Sequence, residues 1–294
     1  MKVLIIGAKG QLGRALVKQL KQDKETYHVT TATRETLDIT NKEKIDVYIH
    51  DLRPDIILNC AAYTAVDAAE ENEAIAYAVN AQGPKYLAQA CEEIGAKFIQ
   101  VSTDYVFDGI GTVHKREEDR VNPQSVYGQT KCQGEEAVRK YCTRHFILRT
   151  AWLYGEGNNF VRTMLKLAQT YSEINVVGDQ FGTPTYTKDL AKVMVELMQT
   201  EYYGTYHATC EGSCSWYDFA CEIFRVKHLD VKVNKITSKE FIRPAKRPPY
   251  AVLENAKLKD IGLNTFRPWQ EALVDYLEAD AAWQEENLGG KVNG

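Results

Sequence analysis

Short apolar runs alternate with helical spacing along the first half of the chain. KVLII (2–6), DIILNC (55–60), KFIQVS (97–102) and HFILRT (145–150) are strongly apolar, as expected of strands covered on both faces. HVTTAT (28–33) is rich in β-branched residues and reads as a further strand. Between these runs, Leu12, Leu16 and Leu20 repeat at helical spacing over 11–20. Segment 42–52 reads as a helix that stops before Arg53-Pro54. Segment 72–94 holds one or two helices and meets a stop at Gly95, and 125–141 is helical. Strands separated by helices predict a parallel sheet with helices on both faces.

The rhythm loosens after Thr150. Helices are expected at 159–171, 188–199, 216–226 and 269–278, with short strands at 174–177 and 205–208. Prolines at 184, 244, 248, 249 and 268 mark loops, and 287–294 reads as a loose tail. The expected fold class is α/β: a Rossmann-type doubly wound parallel sheet with a smaller C-terminal substrate-binding α/β lobe. Residues 1–150 form the dinucleotide-binding domain, with a return segment near 186–203. Residues 151–294 form mainly the substrate lobe.

Composition narrows the function. The 294 residues are 44% apolar and 26% charged, the balance of a globular chain with ample core. A net charge of −4 gives no general attraction for nucleic acid. No apolar run approaches the roughly 18 residues of a membrane span. MKVLIIGAKG reaches glycine too soon for a signal peptide and reads as a first strand. Seven cysteines, an odd number with no CxxC, fit reduced thiols in the cytoplasm. His207, Cys210 and Cys214 match no familiar zinc spacing, so no metal site is expected.

GAKGQLG follows the first strand and opens a helix, placing Gly7, Gly10 and Gly13 at the turn. Such a turn lets backbone N–H groups approach a pyrophosphate, with the helix N-terminus adding positive potential. No acid occurs in VTTATR (29–34) to hold a ribose 2′-OH. Arg34, helped by Lys9, could instead pair with a 2′-phosphate, so NADPH is favoured and NADH stays open. Asp38 and Ile39 follow toward the adenine. In NCAAYTAVDAAE (59–70), Ala61 and Ala62 permit close backbone approach to a ligand.

VYGQTK (126–131) sets Tyr127 and Lys131 one helical turn apart on one face. An ammonium beside a phenol is expected to lower the phenol pKa from about 10 and suit it to proton exchange. STDYVFDG follows the 97–102 strand, where residues just past a strand end face the ligand crevice. Thr103 or Ser102 there can hydrogen-bond a carbonyl oxygen as charge develops on it. Lys131 can also bind the nicotinamide ribose.

Together these motifs resemble the extended short-chain dehydrogenase/reductase superfamily. With RTAWLYG, VGDQFGTPT and the weaker RPAKRPPYAVL, they resemble more narrowly the dTDP-4-dehydrorhamnose reductase family. The resemblance implies NADPH-dependent reduction of the 4-keto group of a dTDP-linked keto-deoxysugar, completing dTDP-L-rhamnose for cell-surface polysaccharide. It implies that Thr103 polarises the ketone, Tyr127 donates the proton and Lys131 is its partner. Asp104 and Trp152 would touch the sugar nucleotide. Gly10, Gln11, Leu12, Asp38, Ile39, Ala62, Tyr63 and Thr64 would line the cofactor site. Some relatives form metal-bridged dimers through an acid in the first helix. Arg14 and Ala15 stand in that region here, so a homodimer would lack that bridge. Two other readings stay open: a nucleotide-sugar epimerase or dehydratase of the same superfamily, and a non-catalytic NADP-binding regulatory subunit.

Overall fold

A computed structural model of the chain describes residues 1–288, with side chains through residue 280. Of the loose tail expected at 287–294, residues 287 and 288 instead continue the last helix, and the rest lies outside the described residues. Alternation begins with β1 (Lys2–Ile6), α1 (Gln11–Leu20), β2 (His28–Ala32), α2 (Lys42–Leu52) and β3 (Ile56–Asn59). Two short helices follow, α3 (Val66–Ala69) and α4 (Glu73–Tyr77). A π-helical turn (Ala78–Gln82) then leads into α5 (Gly83–Ile94). Next come β4 (Lys97–Thr103), α6 (Val126–Tyr141) and β5 (His145–Thr150).

The second half contributes β6 (Leu153–Tyr154), α7 (Phe160–Ala168), β7 (Glu173–Val177), β8 (Phe181–Gly182) and β9 (Thr185–Tyr186). It continues with α8 (Thr187–Leu197), β10 (Gly204–His207), β11 (Cys214–Ser215), α9 (Trp216–Val226) and β12 (Lys232–Ile236). The last elements are α10 (Ala256–Asp260) and α11 (Trp269–Leu288). The main sheet has six parallel strands in the order β10-β5-β4-β3-β1-β2. The chain therefore returns to the first sheet through β10, which pairs with β5.

Alternate residues of β1 serve the two faces. Val3 and Ile5 join the core built with Leu12, Leu16, Leu20 and Leu190, from α1 and α8. Leu4 and Ile6 join Ile45, Ile49, Leu87 and Val138, from α2, α5 and α6. The strand order reverses between β1 and β3, and ligands of open α/β sheets bind in the crevice at such a point. Short pairs escaped the sequence reading. Strand β12 pairs with β7 as a half-exposed KVNKI, whose charges hide its register.

One buried ion pair joins α6 to the sheet. Arg149 of β5 donates from Nε to Glu135 Oε1 (2.9 Å) and from Nη2 to Oε2 (2.7 Å). Ser102 of β4 donates to the same carboxylate at 2.6 Å. These contacts hold the Glu135 carboxyl below its usual range despite complete burial. Removing Arg149 leaves the buried Glu135 charge with only Ser102 and the more exposed Arg139, 3.2 Å away, beside it. Arg149→Met should therefore cost about 3–5 kcal/mol of stability. Urea unfolding checks this, and a loss below about 1 kcal/mol would contradict it.

Candidate active site

The glycine turn after β1 is shaped by close approach. Gly7 adopts φ +78°, and a Cβ there would lie 2.7 Å from the Ala61 nitrogen. Only glycine accepts both conditions. Helix α1 starts from Gly10 with no side-chain cap. Its first-turn N–H groups are thus available to an anion. Opposite, Asn80 in the π-helical turn fixes the 61–64 loop. It accepts from Tyr63 N–H at 2.8 Å and donates to Tyr63 O at 3.1 Å. These features fit a dinucleotide pyrophosphate.

Helix α6 delivers the phenol and the ammonium. Ser125 caps it by accepting from Gly128 N–H (3.1 Å). The first turn rides directly on the turn 104–106. A Cβ at Gly128 would lie 2.3 Å from Tyr105 O, so glycine alone permits the approach. Tyr105 then meets Tyr127 edge-on, with ring centroids 5.4 Å apart. Lys131 is buried and donates to Val101 O at 2.5 Å. The Thr103 hydroxyl donates to Asp104 Oδ1 at 2.9 Å and accepts from Tyr105 N–H at 3.2 Å.

A cleft of about 500 Å³ gathers these groups, lined by residues 10–13, 60–62, 64, 66, 101–105, 127, 131, 150–153 and 216. Gly10, Gln11, Leu12, Gly13, Ala61, Ala62, Thr64, Thr103, Asp104, Tyr127, Lys131 and Trp152 thus share one wall system. Gly7 and Tyr63 sit behind it, in the turn and the braced loop. Arg34, Asp38 and Ile39 lie beyond β2 and do not line it. Arg34 is exposed, Asp38 bonds Thr40, and Ile39 is buried. Lys9 pairs with Glu35 at 3.3 Å.

Sequence reasoning missed Trp216, Thr150 and Cys60 in this lining. Trp216 stacks on Trp152 at 3.5 Å, with ring planes 8° apart. Trp152 itself adopts φ +45°, unusual for a bulky residue. No local motif marks Trp216, because α9 reaches the cleft only through folding of the second lobe.

The acid–base states differ from the expectation for Tyr127. Burial pushes its phenol up to about 12, while the Thr103 hydrogen bond pulls the other way. Lys131 does not lower it, because the ammonium is turned to Val101 O. Burial lowers Lys131 to about 8, with the Glu135 charge opposing. Burial also raises Asp104 to about 7, against hydrogen bonds from Thr103 and the backbone. Asp104 Oδ2 and Thr150 Oγ1 are buried without a partner.

The family described as RmlD substrate binding domain matches residues 1–282. A crystal structure of a dTDP-4-dehydrorhamnose reductase from Clostridium acetobutylicum is 49% identical. Its TM-score is 0.94, over 96% of this chain and 100% of that one. The chain belongs to the dTDP-4-dehydrorhamnose reductase family. A family structure from Bacillus anthracis, in complex with NADP, is 40% identical with TM-score 0.92, over 95% of this chain and 99% of that one. The spore coat polysaccharide biosynthesis protein SpsK of Bacillus subtilis is 42% identical, over 94% of this chain and 97% of that relative.

Lys131 gives a signed stability test. Its folded pKa of about 8 lies below the roughly 10.4 of an unfolded lysine. Between these values the unfolded chain binds more protons, so stability rises with pH across that window. Lys131→Met should lack this rise. Urea unfolding of both proteins at about pH 7.5 and about pH 10 measures it, and equal pH dependence would contradict the burial of a titrating ammonium.

Proposed function

We propose that this chain reduces the 4-keto group of dTDP-4-dehydro-L-rhamnose with NADPH, yielding dTDP-L-rhamnose for cell-surface polysaccharide synthesis. The observation that carries the reading is the convergence of Tyr127, Lys131 and Thr103 on the cleft entered by the uncapped start of α1. Bound NADPH supplies the hydride to the sugar C4. Thr103 donates a hydrogen bond to the ketone oxygen as negative charge builds there. Tyr127 then delivers its proton. A phenol raised to about 12 stays protonated at neutral pH and still gives its proton readily to a far more basic alkoxide. The Lys131 ammonium, still largely charged near neutrality, is assigned to the nicotinamide ribose.

Gly10, Gln11, Leu12, Gly13, Ala61, Ala62 and Thr64 are assigned to the cofactor, with Arg34 and Lys9 favouring the 2′-phosphate of NADPH over NADH. Asp38, Ile39 and Tyr63 complete its adenosine side. Asp104 and Trp152 are assigned to the sugar nucleotide. Residues 1–150 with the 186–203 return hold the dinucleotide, and the remainder of 151–294 shapes the substrate end. A dehydratase would require a further acid beside Asp104, where Tyr105 stands. No helix among the described residues is long and apolar enough to cross a membrane. A cytoplasmic homodimer without a metal bridge fits this reading. On the α1 surface, Arg14 and Lys18 are both paired with Glu156.

Tyr127→Phe tests the assignment. NADPH oxidation on dTDP-4-dehydro-L-rhamnose should fall by on the order of 10²–10⁴-fold, with NADPH affinity unchanged. Turnover near the wild-type rate would reject Tyr127 as the donor. UDP- and GDP-linked keto sugars in the same assay report the nucleotide preference.

A further inference from the structure

Trp152 stands where the chain leaves β5 for the second lobe, and it lines the cleft together with Thr103 and Tyr127. Its backbone takes φ +45°. A side chain of that bulk keeps such a conformation only where its surroundings fix it. Two neighbours do so. A Cβ at Gly182 of β8 would lie 2.5 Å from the indole Cε2 and 2.7 Å from Nε1, so the ring rests on bare glycine backbone. The Trp216 ring stacks on the same indole, with centroids 3.5 Å apart and planes 8° apart.

Trp216 is fixed in turn by the second lobe. Strands β8 and β11 pair antiparallel, with Cys214 opposite Gly182 and Ser215 opposite Phe181. The strand that supplies the glycine under Trp152 therefore also sets where Trp216, the residue after β11, begins α9. Ser215 accepts from Asp218 N–H at 3.1 Å, and the Asp218 carboxylate accepts from Ser215 N–H at 3.0 Å. That reciprocal cap pins the first turn of the helix. Phe160 of α7 packs on the Trp216 ring, with centroids 4.6 Å apart. Trp152 and Phe160 between them take up the Trp216 ring, so its effect on a ligand passes through Trp152.

We propose that Trp216 is a positioning residue for the ketone substrate, holding the Trp152 indole in the orientation in which the sugar nucleotide meets it. This rests on the proposed ketone reduction and on the assignment of Trp152 to the sugar nucleotide. An indole offers a large apolar surface to the C–H groups of a deoxysugar. A loop indole without a partner has to be ordered as the sugar binds, which weakens affinity. Here the stacked pair is already formed in the protein alone. The ring is thus set before the sugar arrives, in the cleft that also holds Thr103 and Tyr127.

Trp216→Leu keeps apolar bulk at the start of α9 and removes the flat partner. With dTDP-4-dehydro-L-rhamnose its KM should rise about tenfold, with kcat within about threefold of wild type and NADPH affinity unchanged. Trp216→Phe keeps a ring and should stay within about threefold of the wild-type KM. Because Trp216 acts through Trp152, Trp152→Ala and the double variant Trp152→Ala/Trp216→Leu should share one KM. A further loss in the double variant, or an unchanged KM in Trp216→Leu, would overturn the inference. Fluorine NMR of protein labelled with fluorotryptophan reads the stack without catalysis. The Trp152 resonance, assigned through Trp152→Phe, should move in Trp216→Leu as the ring current of the stacked indole is lost, and move less in Trp216→Phe. A resonance that stays in place in both would overturn the inference even if ketone reduction holds. Wild-type failure to oxidise NADPH with the keto sugar, with the fluorine shift present, would instead count against the proposed function and remove the positioning role with it.

Discussion

Glu135 carries a full charge in the interior, and the geometry of the cleft depends on how it is held. Its carboxylate takes hydrogen bonds from Arg149 on β5 and Ser102 on β4, while it sits on the helix that bears Tyr127 and Lys131. Three elements are thus joined at one point. Tyr127, Lys131 and Glu135 are spaced by four residues, so they share a helix face. Ser102 immediately precedes Thr103. Fixing Glu135 against Ser102 therefore fixes phenol and hydroxyl against each other. Apolar packing alone could tolerate small slides of α6 along the sheet. A buried bidentate pair has far fewer acceptable positions.

Burial then sets the chemistry. The same desolvation raises the phenol and the Asp104 carboxyl and lowers the Lys131 ammonium. Each shift favours the neutral form, as expected where water is scarce. For reduction this is useful, because the Tyr127 phenol that must give a proton holds it at rest. Thr103 lines the same cleft, with its hydroxyl donating to Asp104 at 2.9 Å. The cleft thus keeps the Tyr127 proton in place near the position where an alkoxide forms.

The main sheet was legible because its strands are covered on both faces and read as unbroken apolar runs. The glycine turn was legible because close backbone approach leaves few acceptable residues at Gly7. Tyr127 and Lys131 were legible because helical spacing is local. What required folding was long-range. Trp216 reaches Trp152 only when α9 of the second lobe packs against the loop after β5. The pKa of Tyr127 was misjudged for the same reason: spacing places Lys131 nearby, but the ammonium is taken by Val101 O. Sequence proximity gives neighbours, whereas burial and competing acceptors decide which of them interact.

Transfer of label from the cofactor tests the central claim most directly. The protein would be given dTDP-4-dehydro-L-rhamnose and NADPH deuterated at the C4 position of its nicotinamide ring on the transferred face. The account predicts one deuterium on C4 of the product sugar, seen by mass spectrometry and proton NMR, with one NADPH consumed per product. A product free of label, or sugar converted without consumption of NADPH, would contradict it.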